Sequence, residues 1–158
     1  MEYVMEKIAS DGIPTEEEYP YSPYNSYTGI CNALGEDFYY RNYDYYDLSE
    51  QEIITLLQDN PLAISIATEN WSGYSSGVLS CNPFPPITHA VLLVGYTPSY
   101  WIVKNQWGKH WGENGYIRIS RNSFRNCGIG SGVHVITIHE PMLTFLMAIS
   151  TLILMINI

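Results

Sequence analysis

Five short runs of β-branched and aromatic residues follow Pro61: Leu62 to Ala67, Ile87 to Tyr96, Tyr100 to Lys104, Tyr116 to Ser120 and Val133 to Ile138. Each is bounded by Gly, Pro or Asn, which predicts short strands separated by turns. The expected arrangement is a small antiparallel barrel or curled sheet. Pro83, Pro85 and Pro86 mark an ordered loop between the first two runs. Before Pro61 the pattern differs. Ser49 stands as an N-cap ahead of Glu50, Gln51 and Glu52, and Ile53, Ile54, Leu56 and Leu57 form an apolar face that ends at Asn60-Pro61. A helix there makes the fold class α+β. From Ile13 to Asp47 the chain is rich in Pro, Gly, Asn, Ser and Tyr and is expected to be loop. Met1, Val4, Met5 and Ile8 suggest the last turns of an earlier helix that Asp11-Gly12 stops.

The 158 residues suffice for one core, and a hydrophobic fraction of 46% excludes wholesale disorder. The net charge of −9 argues against nucleic acid as a partner, because phosphate backbones attract basic surfaces. That charge is unevenly placed. Residues 1–60 hold thirteen of the sixteen acidic side chains and two of the seven basic ones. The organisation expected is 1–60 as the end of a helical lobe, a connecting segment and one helix, 61–140 as the β lobe, and 141–158 as a hydrophobic tail. The tail from Met142 to Ile158 has seventeen residues and no charge. As a helix it would reach roughly 25 Å, just under the ~30 Å apolar core of a bilayer. Membrane association through 142–158, a packed terminal helix and a processed lipid-anchor signal are the readings it leaves open. The first thirty residues show no secretory signal pattern.

Four histidines could carry chemistry. His134 and His139 are five apart in a strand-like run and face opposite ways, so no metal site is expected. Cys127-Gly-Ile-Gly-Ser-Gly132 has the wrong spacing for a phosphate loop and reads as a turn. His89 stands apart. If Thr97-Pro98-Ser99 closes a hairpin, Tyr96 faces Tyr100 and Val91 faces Asn105. Provided no bulge intervenes, His89 then shares a sheet face with Asn105 as its diagonal neighbour. An amide oxygen beside one ring nitrogen selects the tautomer and leaves the other nitrogen free to exchange a proton with a nucleophile.

Around these two residues lie Thr88-His89-Ala90-Val91, Val94-Gly95-Tyr96, Trp101-Ile-Val-Lys-Asn105-Gln-Trp107-Gly108 and Trp111-Gly-Glu-Asn-Gly-Tyr-Ile-Arg-Ile119. Together they resemble the C-terminal part of a papain-like cysteine protease. Gly12 to Tyr21 and Pro61 to Ala67 are similar to further stretches of that family, so the resemblance spans about residues 1 to 138. It implies a papain-like C-terminal antiparallel β-barrel lobe with a remnant of the helical lobe, to which the tail adds an apolar C-terminal helix. It also implies His89 as general base and acid and Asn105 as its orienter. Trp107 would shield their hydrogen bond, and Trp111 would shape the primed side of the cleft. Plain core packing is the other reading of both indoles. Ser65, Ile87 and Gly132 would line the pocket for the substrate's second side chain, with a hydrophobic preference.

The resemblance further implies a disulfide between Cys81 and Cys127 and a partner for Cys31 outside this chain. The family's nucleophile stands in a Cys-Gly-Ser-Cys-Trp stretch, which these residues do not contain, and Gln106 replaces the usual Ser. The expected function is therefore a papain-like cysteine-type endopeptidase, present as a C-terminal fragment inactive alone and acting on peptide or protein substrates once a missing lobe completes it. The alternative is a non-catalytic, membrane-tethered peptide-binding pseudoprotease. No cofactor is expected. Asn70-Trp71-Ser72 is a glycosylation acceptor pattern. It fits a secretory, lysosome-like or extracellular location, membrane-anchored if the tail inserts.

Overall fold

The computed structural model describes residues 6–7, 10–11, 14, 17, 39–81, 86–121 and 126–139. The chain divides into two compact units, residues Met1–Asn42 with Thr137–Ile158, and Tyr43–Ile136. In the first, Glu6, Lys7, Ser10 and Asp11 are helical, and Lys7 pairs with Asp11 one turn on. The tail from 142 to 158, and with it the expected C-terminal helix, lies outside the described residues, as does Cys31. Among the described residues no helix is long and apolar enough to cross a membrane.

The strands are β1 (Tyr39–Tyr45), β2 (Leu62–Ile66), β3 (Val78–Leu79), β4 (His89–Tyr96), β5 (Tyr100–Lys104), β6 (Tyr116–Ser120) and β7 (Val133–His139). They hydrogen-bond in the order β1-β7-β2-β4-β5-β6-β3. Of the expected small antiparallel barrel or curled sheet, barrel closure and purely antiparallel pairing are both corrected. β1 and β3 are opposite ends of the order, so the sheet stays open, and β3 pairs parallel with β6, so it is mixed. A two-residue strand offers too short a ladder to close a barrel. β1 and β3 also went unforeseen. The first sits in a stretch crowded with Tyr, Asn and Asp, and the second is too short for an alternating pattern to register.

The one long described helix, α1 (Glu50–Leu57), forms where its cap predicts. Ser49 Oγ accepts from the Glu52 backbone N–H at 3.3 Å, and Glu52 accepts the Ser49 N–H at 2.8 Å. Two otherwise unpaired donors are thereby satisfied. Replacing Ser49 with Ala is expected to cost about 1 kcal/mol, read as a shift in urea midpoint. Ile53 of this helix is buried in the core with the strands. Arg121 ties the helix to the β4–β5 hairpin. Its guanidinium bonds Glu50 and the Thr97 carbonyl and lies over the rings of Tyr96 at 5.2 Å and Trp101 at 4.8 Å. Gly130 lets the chain pass close beneath the helix. Its φ is +97°, and a Cβ there would stand 2.7 Å from the Leu48 carbonyl oxygen.

Alternation along the strands makes the core. In β2, Leu62, Ile64 and Ile66 are buried while Ala63 and Ser65 are not. Opposite them lie Leu93, Val91 and His89 of β4. Paired residues share a face, so His89 emerges on the core side at the end of the sheet, and Ser65 with its partner Ala90 faces the other way.

The β4–β5 register departs from the expectation twice, and the departures cancel. Tyr96 pairs with Trp101, not Tyr100, because the Thr97 hydroxyl accepts from the N–H groups of Ser99 and Tyr100 and enlarges the turn by one residue. A bulge between Leu93 and Gly95 absorbs that extra residue, and beyond it Leu92 pairs with Lys104. The next step places Val91 beside Asn105, and His89 comes within reach of the amide after all.

Candidate active site

His89 opens β4 and Asn105 follows β5, so the hairpin brings both to one end of the sheet. His89 Nε2 lies 3.0 Å from Asn105 Oδ1. The same oxygen accepts the Gln106 backbone N–H at 2.9 Å. An N–H cannot donate to an NH₂ group, so the Gln106 bond determines which way the amide points. Facing an oxygen, His89 Nε2 must carry the proton, and Nδ1 keeps its lone pair. The device uses the backbone of residue 106, which is why Gln serves there. Asn105 is 7% exposed, so its bond to the half-buried imidazole is shielded from water.

Aromatic rings gather around the imidazole. Trp107 is centred 5.2 Å from the His89 ring, and Trp111 meets Trp107 edge-on at 5.1 Å. Behind them Trp71, fully buried, stands 6.1 Å from His89, 6.2 Å from Trp107 and 5.8 Å from Trp111. Trp111 Nε1 donates to the Trp71 carbonyl at 2.9 Å. Trp71 is the residue that the sequence underrated. In the sequence Trp71 carries no signal beyond the Asn70-Trp71-Ser72 pattern. Asn70 and Ser72 are exposed on either side of it.

The loop from Asn105 to Gly115 is pinned at both ends. Asn105 N–H donates to the Gly115 carbonyl at 2.9 Å, and Gly115 N–H donates to the Trp111 carbonyl at 2.8 Å. Gly112 needs its missing side chain, since a Cβ there would stand 2.6 Å from the Tyr116 carbonyl oxygen at a φ of +56°. Glu113 holds the loop to its surroundings by accepting the Gly77 N–H at 2.9 Å and Arg118 Nε at 2.8 Å. Tyr74, whose phenol burial pushes upward in pKa, bonds the Gly77 carbonyl and receives the Arg118 N–H.

Arg118, with the Gly77 N–H, lowers the Glu113 pKa from the ordinary 4.5. A depressed carboxyl stabilises the fold fully above the unfolded value and loses that contribution as pH falls through the folded one. Glu113→Gln is therefore expected to lower the urea midpoint at about pH 7 and to differ little from the unsubstituted chain at about pH 3. An equal deficit at both pH values would contradict this.

The remaining site residues make contacts of their own. Ser65 N–H donates to the Gly132 carbonyl at 2.9 Å, and a Cβ on Gly132 would meet Ser65 Oγ at 3.2 Å. Ile87 lies against Gly128. Cys81 and Cys127 are joined in a disulfide. Thus His89, Asn105, Trp107 and Trp111 are brought together with Trp71, Ser65 meets Gly132 and pairs with Ala90 next to His89, and Ile87 meets Gly128. Among the described residues there is no cluster of His, Cys, Asp or Glu able to hold a metal ion.

Comparison with known proteins identifies the family. The sequence model of the papain family cysteine proteases matches residues 1–137. Fruit bromelain of Ananas comosus is 35% identical over 131 residues, which are 77% of this chain and 36% of the relative. A cathepsin L-like proteinase of Fasciola hepatica is 36% identical over 146 residues, 83% of this chain and 43% of the relative. The matched part of the chain thus spans 36% and 43% of the length of these relatives, less than half in each case. Among solved structures, the bromelain protease of Ananas comosus superposes with a TM-score of 0.71 at 28% identity, covering 85% of this chain and 67% of that one. A cysteine protease of Carica candamarcensis gives a TM-score of 0.69 at 28% identity over 87% of this chain and 68% of its own. With the His89 and Asn105 motifs on adjacent strands of a sheet that these structures share, the chain belongs to the papain family of cysteine proteases.

Proposed function

We propose that this chain supplies the histidine and asparagine half of a cysteine-type endopeptidase, and that the 158 residues alone do not hydrolyse peptides. The observation that carries the reading is the 3.0 Å contact between His89 Nε2 and Asn105 Oδ1, with the amide oriented by the Gln106 N–H. A thiol brought to Nδ1 gives up its proton to that lone pair, producing a thiolate beside an imidazolium. The thiolate attacks the peptide carbonyl, the Nδ1–H then protonates the departing amine, and water hydrolyses the thioester. Asn105 holds the ring throughout.

No thiol among the described residues can take this role, because Cys81 and Cys127 are bonded to each other. The nucleophile and the donors for the oxyanion must come from another segment. Since such groups act as a unit, losing one removes most of the rate. The pocket reading of Ser65, Ile87 and Gly132 belongs to the same proposal, as do glycosylation at Asn70 and a secretory, lysosome-like or extracellular location. The partner is a peptide or protein substrate. A membrane-tethered binding module is the second reading and draws on the apolar composition of residues 142–158.

The test combines two measurements on the 158-residue chain. Incubation with a thiol-directed peptide electrophile and with a fluorogenic peptide is expected to give neither labelling with turnover nor product; turnover would refute the fragment reading. Nitrogen-15 spectra of His89 are expected to show the proton on Nε2, with loss of that preference in Asn105→Ala. An Nδ1–H tautomer in the unsubstituted chain would refute the catalytic assignment.

A further inference from the structure

From residue 70 to residue 112 the chain runs through 43 positions without an Asp or Glu, although the whole carries a net charge of −9. This acid-free stretch builds the His89 site. At its far end Trp111 N–H reaches the Gly108 carbonyl at 3.4 Å, making Lys109 and His110 the two central residues of a turn. Both are exposed. The turn is flanked by Trp107 and Trp111 and anchored through the bond from Trp111 Nε1 to Trp71. Trp107, 43% exposed, lies against His89 on one side and leads into the turn on the other.

Lys109 and His110 follow Trp107 by two and three residues, which places their turn next to the indole that a peptide over His89 would cover. Glu113, the nearest acid in the loop, has its carboxylate committed to Arg118 and does not neutralise the turn. The other flank is different in kind. Ser65, Ala90, Ile87 and Gly132 offer no charge there. An ammonium and an imidazole N–H exposed two and three residues beyond a half-exposed indole match a carboxylate next to an apolar side chain.

We infer that the Gly108–Trp111 turn is a cationic selector that favours acidic residues in the part of a bound peptide lying beyond Trp107. The inference rests on the peptidase reading and names a substrate class for it. The selector is preorganised, because the backbone bonds that close the loop also aim the turn.

The test is peptide binding to the 158-residue chain, followed by the indole N–H resonance of Trp107. Blocked peptides share one Phe and differ in a neighbouring Glu-Glu, Gln-Gln or Lys-Lys pair. The Glu-Glu peptide is expected to bind roughly 3- to 5-fold tighter than the Gln-Gln peptide at low salt, with the gap closing at about 0.5 M salt. Lys109→Gln combined with His110→Gln should bring the acidic peptide down to the neutral one and leave the neutral one unchanged. Equal affinities, absence of binding by every peptide, or a preference that survives the double substitution would each overturn the inference. The His89 tautomer is read independently, so failure here is distinguishable from failure of the peptidase reading.

Discussion

Replacing Trp71 with Ala is expected to destabilise the unit formed by Tyr43–Ile136 by about 3–5 kcal/mol, the range for truncating a fully buried aromatic. Trp71 is fully buried and touches three other rings, those of His89, Trp107 and Trp111. Its loss opens a cavity directly behind the imidazole. Denaturant melts measure the stability, and near-ultraviolet dichroism reports whether the remaining indoles keep their fixed packing. Trp71→Phe is the milder companion. It keeps a ring in place and removes an indole N–H that has no hydrogen-bond partner among the described residues, so it should cost markedly less. A Trp71→Ala loss below about 1 kcal/mol would mean that the aromatic cluster is not a packed unit.

Removing the disulfide should have an effect of comparable size. Cys81 and Cys127 are 46 residues apart, and the entropy of that loop in the unfolded chain corresponds to about 4 kcal/mol at 25 °C. Cys127 is fully buried, so Ala is a better replacement than Ser, which would bury an unpaired hydroxyl. The bridge also supports the site. Cys81 N–H donates to Asn126 Oδ1 at 2.7 Å, and Gly128, next to Cys127, packs against Ile87 two residues before His89. The double substitution to Ala is expected to lower the urea midpoint by an amount that a reducing agent reproduces in the unsubstituted chain. An unchanged midpoint in both would contradict the prediction.

Much of the fold was legible because its determinants are local. The five runs after Pro61 became strands, since period-two alternation and flanking turn residues act within a few positions. Ser49 and Glu52 announced the helix start for the same reason. Other elements were not legible. Tyr39–Tyr45 has no alternation of apolar and polar residues to mark it as a strand, and β3 owes its existence to a parallel pairing with β6 some forty positions away. Closure of the sheet depends on which strands end up at its edges, and no single segment encodes that.

The site divides in the same way. His89 and Asn105 could be named from their motifs, and a simple hairpin count placed them on one face. That count was right at the site and wrong at the turn, because an enlarged turn and a bulge compensate each other along β4. The burial of Trp71 depends on the indoles that surround it, which come from a loop thirty-six and forty residues later.

By itself, then, the sequence determined five of the seven described strands, the helix cap, the family and the two residues proposed to handle the proton. These follow from side-chain patterns and motifs that can be read over short spans. Only the tertiary structure decided that the sheet is open and mixed, that the Gln106 N–H orients the Asn105 amide, and that Trp71 backs the imidazole. Each of those depends on groups that meet only when distant segments pack, where register, burial and the direction of a single hydrogen bond are settled together.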